Sequence, residues 1–189
     1  MSRDVLELLR AAGGYISGEK MAERLGVTRA AVWKKIAALR DAGYDISSAP
    51  RSGYVLRSAP DRLIEAEIAQ ELDTQLIGRK IIAYDAVDST NLVLKDLARE
   101  GAEDGTVVVA DSQGTGRGRM ERAFFSPPGK GIWVSILLRP TFLPQDAPKC
   151  TLMAAVAVAR AMERFGLRAA IKWPNDIMHD GRKLVGILT

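Results

Sequence analysis

The chain has 189 residues, of which 47% are apolar and 26% charged, with a formal net charge of +4. These proportions match ordinary globular proteins and exclude collagen-like, disordered and disulfide-scaffold classes. No apolar run reaches the roughly 18 residues of a membrane span, and the first residues lack the apolar core of a signal peptide. One cysteine, Cys150, and one histidine, His179, argue against an internal disulfide and a zinc site. We expect a cytoplasmic protein that does not interact with membranes.

The excess positive charge lies in the first third of the chain. Residues 1–60 hold ten Lys and Arg against six Asp and Glu, whereas residues 61–189 hold seventeen of each kind. This uneven distribution indicates a polyanionic partner for the first segment alone.

Apolar residues at helical spacing predict three short helices within residues 1–60. Gly13-Gly14, Gly26 and Gly43 are expected to end them, and Ser17 and Thr28 are expected N-caps of the second and third. The apolar positions that define the helices are Val5, Leu8, Leu9, Ala12, Met21, Ala22, Leu25, Val32, Ile36 and Leu39. The turn between the second and third helices has helix-turn-helix spacing.

Two strand signals, at 44–47 and 54–56, follow the third helix, and a polar turn carrying Arg51 joins them. Three helices followed by a hairpin predict a winged helix whose third helix enters the major groove of DNA. An ordinary amphipathic helix is the alternative interpretation. A single domain contacts few phosphates, so we expect DNA binding by a dimer. The candidate DNA-binding residues are Thr28, Arg29, Trp33, Lys34, Lys35 and Arg51.

A Pro-containing segment at 57–61 is a plausible linker, so we expect one domain at 1–60 and a second at 61–189. The second domain alternates helix and strand signals without a regular βαβ series, which predicts an α+β or mixed α/β fold. The expected helices lie near 63–72, from about 88 onward and at 147–165, and the expected strands at 81–84, 106–110, 132–138, 170–173, 177–179 and 184–188.

A loop rich in glycine, arginine and proline is expected at 112–131. Its segment 113–119 reads Gln-Gly-Thr-Gly-Arg-Gly-Arg, but its third glycine is misplaced for a dinucleotide fingerprint and no helix follows. The segment offers N–H donors and guanidinium groups that can enclose a phosphate or carboxylate. A mobile surface loop is the alternative, and we expect 114–131 to be mobile without a ligand.

Residues 172–176, Lys-Trp-Pro-Asn-Asp, precede Lys183 by seven positions. The Trp-Pro-Asn stretch predicts a stiff turn after a strand. Asn175 and Asp176 can fix that turn or bind a ligand, and Trp173 is expected in the core or the wall of a cavity. Lys183 begins the last strand, facing either a cleft or solvent.

Together these segments resemble the family of bifunctional biotin protein ligases and biotin operon repressors. The resemblance is carried by 87–91, 113–119, 172–176 and 182–188, with 17–32 similar to the family's winged helix, and it covers essentially the whole chain. It implies an α+β fold with a winged helix-turn-helix at 1–60. The N-terminal portion of a mixed α/β biotin/lipoate-ligase-like catalytic domain would occupy 61–189.

The resemblance also implies an activity and its partners. The family activates biotin with ATP and Mg²⁺ to biotinyl-5′-AMP and transfers biotin to a lysine of the biotin carboxyl carrier protein of acetyl-CoA carboxylase. Its members bind operator DNA as homodimers, with biotinyl-5′-AMP as corepressor.

The resemblance assigns roles to residues of this sequence. Lys183 would bind the carboxyl end of biotin and the α-phosphate, and Lys183 and Arg119 would be catalytic. The expected biotin-binding residues are Ser89, Thr90, Asn91, Gln113, Arg117, Gly118, Arg119 and Lys183. The expected adenylate-loop and supporting residues are Gly116, Arg122, Phe124, Lys172, Trp173, Asn175 and Asp176.

Two departures from the family pattern stand out. Glu121 occupies a position where the family usually has glycine, and the sequence stops at Thr189 inside the last motif, which indicates C-terminal incompleteness. A non-catalytic ligand sensor and a lipoate-type ligase are the alternative functions. Lys183, Arg117 and Arg119 favour an enzyme, and the winged helix and the Gly-Arg-Gly-Arg loop argue against a lipoate-type ligase.

Overall fold

The chain divides into two compact units, Met1–Leu72 and Asp73–Thr189. The computed structural model describes residues 2–70, 72–118, 120 and 122–189. The division falls twelve residues beyond the end of the first domain expected from sequence. The helix expected near 63–72 belongs to the first unit.

Within its described residues, the first unit contains four helices and a two-stranded antiparallel hairpin. Ser17 and Thr28 act as the expected caps, because their side chains accept the backbone N–H groups of Lys20 and Ala31. Arg51 lies in the hairpin turn with a φ of 65°. The elements are α1 (Arg3–Ala12), α2 (Gly18–Leu25), α3 (Arg29–Asp41), β1 (Asp45–Ala49), β2 (Gly53–Ser58) and α4 (Glu65–Gln70).

The core of the first unit forms where α1, α2 and α3 bury their apolar faces. Val32, Ile36 and Leu39 of α3 are buried as expected. On α1 the buried face includes Leu6, whereas Leu8 is half-buried and Ala12 exposed. The expected inner face of α1 was therefore partly wrong, since spacing alone does not fix which neighbouring stripe of a short helix meets the core.

A largely buried polar cluster of Arg10, Tyr44 and Glu67 attaches α4 to the rest of the first unit. Glu67 of α4 accepts hydrogen bonds from Arg10 Nη2 at 2.5 and 2.6 Å and from the Tyr44 hydroxyl at 2.6 Å. Tyr44 is 4% exposed. Burial, reinforced by the neighbouring Glu67 carboxylate, raises the pKa of the Tyr44 hydroxyl.

The described residues of the second unit form two small sheets and two α-helices. The elements are β3 (Ile81–Tyr84), α5 (Thr90–Arg99), β4 (Val107–Ala110), β5 (Trp133–Ile136), a 3₁₀ turn (Pro144–Asp146), α6 (Pro148–Arg164), β6 (Ala170–Lys172), β7 (Asp176–His179) and β8 (Arg182–Gly186). Strands β3, β4 and β5 form one sheet in that order, with a parallel pair followed by an antiparallel pair. Strands β6, β7 and β8 form an antiparallel meander.

The β4 strand is the centre of the first sheet, and all four of its residues are buried. A short β-branched run of this kind is typical of a strand covered on both faces. Helix α5 packs on β4 and β5. Among the described residues, no helix is both long and apolar enough to cross a bilayer.

The Tyr44–Glu67 contact predicts that the first unit loses folding stability at alkaline pH. A tyrosine whose pKa is raised by folding stabilises the fold below its unfolded pKa of about 10, and that stability is lost as pH rises beyond it. We expect Tyr44→Phe to lower stability at neutral pH by about 1 kcal/mol. Above about pH 10 the variant should lose less stability than the unmodified chain.

Urea unfolding of the whole chain across pH 7–11, followed by hydrogen exchange in peptides from 2–70, measures this effect. Tyr15→Phe, a change at a tyrosine 45% exposed in the same unit, is the matched control. An identical alkaline loss in Tyr44→Phe and the unmodified chain would contradict the assignment.

Candidate functional site

The amide of Gln113 binds the beginning of α5. Its Oε1 accepts the backbone N–H of Thr90 at 2.9 Å and the Thr90 hydroxyl at 3.1 Å. Ser89 is the N-cap residue and is 3% exposed, but its side chain makes no capping bond. Gln113, 23 residues away in sequence, thus satisfies one of the N–H groups that a helix start leaves unpaired.

Two serines, Ser126 and Ser135, extend this contact into a chain of hydrogen bonds, here called the relay. The Thr90 hydroxyl lies 2.9 Å from Ser135 Oγ on β5, and Gln113 Nε2 donates to Ser126 Oγ at 3.1 Å. Ser126 in turn donates to the carbonyl of Phe124 at 3.0 Å. Sequence reasoning missed both serines. Strand alternation on 132–138 was the one available signal, because it places Ser135 on the face opposite Val134 and Ile136.

The segment after Gln113 folds back on itself as an irregular hairpin. The N–H of Gln113 donates to Ser126, that of Phe124 donates to Gly116 and that of Gly118 donates to Arg122. The described part is thus a loop, as expected, and backbone hydrogen bonds close it across its two sides. Its mobility without a ligand stays a prediction. A Cβ on Gly116 would lie 2.3 Å from the Phe124 carbonyl oxygen, so glycine permits this close approach.

Lys183 has two neighbours that suit a cation. Its ammonium lies 2.7 Å from Asp176 Oδ1 and 5.6 Å from the ring centroid of Phe124. Asp176 Oδ1 is buried and has no well-angled hydrogen bond, so the contact is a close ion pair. Phe124 also packs edge-to-face on Trp133 of β5, with centroids 6.0 Å apart.

The remaining residues of 172–176 have different surroundings. Asn175 pairs with Ile187 through its side chain at 3.2 Å and its backbone carbonyl at 2.9 Å. Trp173 and Asn175 border a cavity of about 250 Å³. Trp173 is 76% exposed, so it is a wall residue and not a core residue. Lys172 is also exposed.

The other expected ligand-binding residues lie near these two groups in sequence. Arg117 and Arg122 are exposed, Gly118 is half-buried beside Arg122, and Asn91 is half-buried on α5. Arg119 lies outside the described residues, as does Glu121. The structure thus brings Thr90, Gln113, Phe124, Asp176 and Lys183 into two neighbouring groups that meet at Gly116.

In the first unit, α3 presents polar and aromatic groups to solvent. Arg29 and Lys34 are exposed, and Trp33 is 59% exposed. Thr28 is exposed and caps the helix, and Arg51 is exposed in the hairpin turn.

Lys35 differs from its neighbours on α3, because it is half-buried and pairs with Asp4 of α1 at 2.6 Å. Burial opposes ionisation of Asp4, but the hydrogen bonds from Lys35 and the Val5 N–H hold the pKa of Asp4 below its ordinary value. Lys34 is thus the more exposed of the two lysines, and DNA binding by Lys35 stays a prediction.

These arrangements have distinct chemical capacities. The relay holds the start of α5 and the Gln113 amide in one orientation, which suits recognition of a neutral polar ligand. The ammonium of Lys183, 41% exposed, is placed to contact an anion. Exposed cations on α3 and at the hairpin turn suit a polyanion.

A winged helix-turn-helix followed by an α+β domain with a glycine–arginine hairpin defines a class in which a DNA-binding domain precedes a ligand-binding one. A family model described as "Biotin/lipoate A/B protein ligase family" matches residues 83–189, and one described as "HTH domain" matches residues 2–55. The chain therefore belongs to the biotin/lipoate A/B protein ligase family.

Curated relatives align along the chain. It is 45% identical over 191 residues to the bifunctional ligase/repressor BirA of Bacillus subtilis (strain 168), covering 100% of this chain and 59% of that protein. It is 36% identical over 181 residues to that of Escherichia coli (strain K12), covering 95% and 55%. The chain thus spans less than two thirds of the length of these relatives.

A solved structure is similar to part of the chain. The biotin protein ligase from Aquifex aeolicus in complex with biotin and ATP has a TM-score of 0.50 and 34% identity, covering 58% of this chain and 46% of that one. The α+β fold expected from sequence is confirmed.

Two glycine variants, Gly116→Ala and Gly114→Ala, test whether the hairpin depends on the close approach at Gly116. Gly116→Ala places a Cβ against the backbone oxygen of Phe124 and 2.6 Å from Ser126 Oγ, so the hairpin must open. We expect a stability loss of about 1–3 kcal/mol. Gly114→Ala meets only Asp88 Oδ1 at 3.3 Å, and we expect a smaller effect.

Thermal unfolding and amide exchange across 113–126 measure both changes. Faster exchange in Gly116→Ala but not in Gly114→Ala is the expected pattern. Equal exchange in the two variants would show that the close approach at Gly116 has no structural importance.

Proposed function

We propose that the protein containing this chain is an ATP-dependent biotin protein ligase that also represses transcription. The observation that carries the ligase assignment is the Lys183 ammonium held between Asp176 and Phe124, next to the hairpin that fixes Gln113. Family membership and 45% identity to a bifunctional ligase/repressor support both activities.

The proposed reaction has two steps. A carboxylate oxygen of biotin attacks the α-phosphorus of ATP, the bond to the β-phosphate breaks, and pyrophosphate leaves. The amine of a carrier lysine then attacks the acyl carbon of biotinyl-5′-AMP, forming an amide and releasing AMP. The first step brings two anions together, and fixed cations lower its barrier by positioning and charge stabilisation.

Residues of this chain have separate roles in that proposal. Ser89, Thr90, Asn91 and Gln113 bind biotin, and Lys183 contacts its carboxyl end and the α-phosphate. Arg117, Gly118 and Arg119 enclose the adenylate, supported by Gly116 and Phe124. Further support in the same proposal comes from Arg122, Lys172, Trp173, Asn175 and Asp176.

Magnesium would accompany ATP in this reaction. Among the residues that the structure describes, no three His, Cys, Asp or Glu side chains come together as a metal site. Mg²⁺ with a nucleotide is commonly held by the substrate phosphates, one or two carboxylates and water. Held in this way, the ion would supply charge neutralisation on the phosphates.

The proposed partners are a carboxylase carrier domain and operator DNA. The carrier is the biotin carboxyl carrier protein of acetyl-CoA carboxylase, whose lysine supplies the second nucleophile. Biotinyl-5′-AMP serves as corepressor by favouring a homodimer that presents two winged helices to a two-fold operator.

Pyrophosphate release that requires both biotin and ATP tests the ligase assignment on the complete protein. We expect Lys183→Met to lower its rate tenfold to more than a hundredfold, since a charge-assisted contact contributes about 1.5–3 kcal/mol. The control is Lys149→Met, because Lys149 pairs with Asp146 on the surface with its side chain 64% exposed.

Three outcomes would contradict this assignment. Release without biotin, or with lipoate in its place, would favour another activity of the same family. Equal rates in Lys183→Met and Lys149→Met would remove Lys183 from the mechanism. Thermal unfolding of both variants controls for the buried Asp176 that Lys183→Met leaves unpaired.

Operator binding tests the repressor assignment. We expect Lys34→Ala to weaken binding and to reduce the slope of log K against log[salt] by about one. Arg3→Ala is the control, because Arg3 pairs with Glu7 on α1. Binding curves without ligand, with biotin and with biotinyl-5′-AMP should shift to progressively lower protein concentration, and identical curves would exclude the corepressor role.

A further inference from the structure

The ammonium of Lys183 occupies space that exists only because residue 186 is glycine. A Cβ on Gly186 would lie 2.9 Å from Lys183 Cε and 3.0 Å from Lys183 Nζ. Carbon atoms in contact stay about 3.5–4.0 Å apart, so the end of the Lys183 side chain would have to move by roughly 0.6–1.1 Å. Gly186 lies within the motif at 182–188, but it is not among the expected catalytic, ligand-binding or supporting residues.

Glycine at this position is not required by the backbone. Gly186 ends β8 and pairs with Asp176 across the meander, and its φ is not in the left-handed region. An alanine can therefore adopt the strand conformation. The atoms that it would displace belong to the far end of a long flexible side chain, which yields more readily than backbone.

Two other groups lie next to the Lys183 ammonium. Asp176 Oδ1 lies 2.7 Å from Nζ, and Nζ lies over the ring of Phe124. The same Cβ on Gly186 would also approach the ring of Phe124 to 3.4 Å. An alanine therefore crowds the end of the Lys183 side chain, while it meets the aromatic ring at an ordinary van der Waals distance.

We propose that Gly186 is a positioning residue for Lys183: its missing side chain leaves the space in which the ammonium is held against Asp176 and Phe124. This inference rests on the function proposed above, in which Lys183 contacts the reacting anions. Displacement by roughly 1 Å in a positioned group can reduce a rate about a hundredfold.

Kinetics on the complete protein test the proposal. We expect Gly186→Ala to lower kcat/KM for biotin-dependent pyrophosphate release about tenfold to a hundredfold. Gly14→Ala is the matched control, since Gly14 has an ordinary φ and its nearest atom would be 3.9 Å away. In a Lys183→Met background, Gly186→Ala should change the rate by less than about twofold, because the group it acts through is gone.

A ligand-free measurement separates this proposal from the proposed function. The Cε methylene signal of Lys183, in protein labelled with ¹³C at lysine Cε and assigned through Lys183→Met, reports the ring of Phe124. We expect Gly186→Ala to shift this signal and Gly14→Ala to leave it unchanged. Phe124→Leu, which removes the ring without altering β8, should also shift it.

The outcomes are distinguishable. An unshifted signal, or a full loss of rate from Gly186→Ala in the Lys183→Met background, would overturn the positioning role. Absence of biotin-dependent pyrophosphate release in the unmodified protein would overturn the proposed reaction, and the NMR signal would then show by itself whether Gly186 positions the ammonium. If Gly186→Ala does not fold, the double variant Gly186→Ala, Lys183→Ala decides, because it removes the side chain that the new Cβ meets. Restored folding would support the positioning role, and a double variant that also fails to fold would overturn it.

Discussion

The side chain of Phe124 joins the two sheets of the second unit, and both groups of candidate ligand-binding residues depend on it. Its ring packs edge-to-face on Trp133 of β5 and lies under the ammonium of Lys183 on β8. Its backbone pairs with Gly116, and its carbonyl accepts the Ser126 hydroxyl. An aromatic ring suits this position because its edge packs on another ring while its face attracts a cation. The orientation of Gln113 and the location of Lys183 therefore follow from one hairpin.

Much of the fold was predictable because its signals are local. Apolar spacing, a threonine cap and a following glycine are contained within a few residues, and they give α3 and the hairpin after it. The attachment of α4 was not predictable, since Arg10 and Glu67 are 57 positions apart and no short pattern joins them. The ion pair of Lys35 was not predictable for the same reason, because its partner Asp4 lies on another helix.

Only part of the candidate site was predictable from the sequence. Motif resemblance pointed to Thr90, Gln113 and Lys183, which the structure places in two adjoining groups. It did not point to Ser135, whose role follows from strand register and a contact across 45 positions. The roles of the glycines were also visible only in the structure. Gly116 and Gly186 look alike in sequence, but one permits two backbone segments to approach and the other leaves room for a side chain.

The two groups differ in how firmly they are held, and that difference suits their proposed uses. Around Gln113, hydroxyl and amide groups satisfy one another in a largely buried relay, so a ligand meets an arrangement that is already ordered. Around Lys183 the ion pair is partly exposed and poorly angled for a hydrogen bond. Lys183 is 41% exposed, so an incoming anion can reach its ammonium from solvent. Under the proposed function, the rigid group binds the neutral ring of biotin, and the adaptable cation binds the charged end of the ligand.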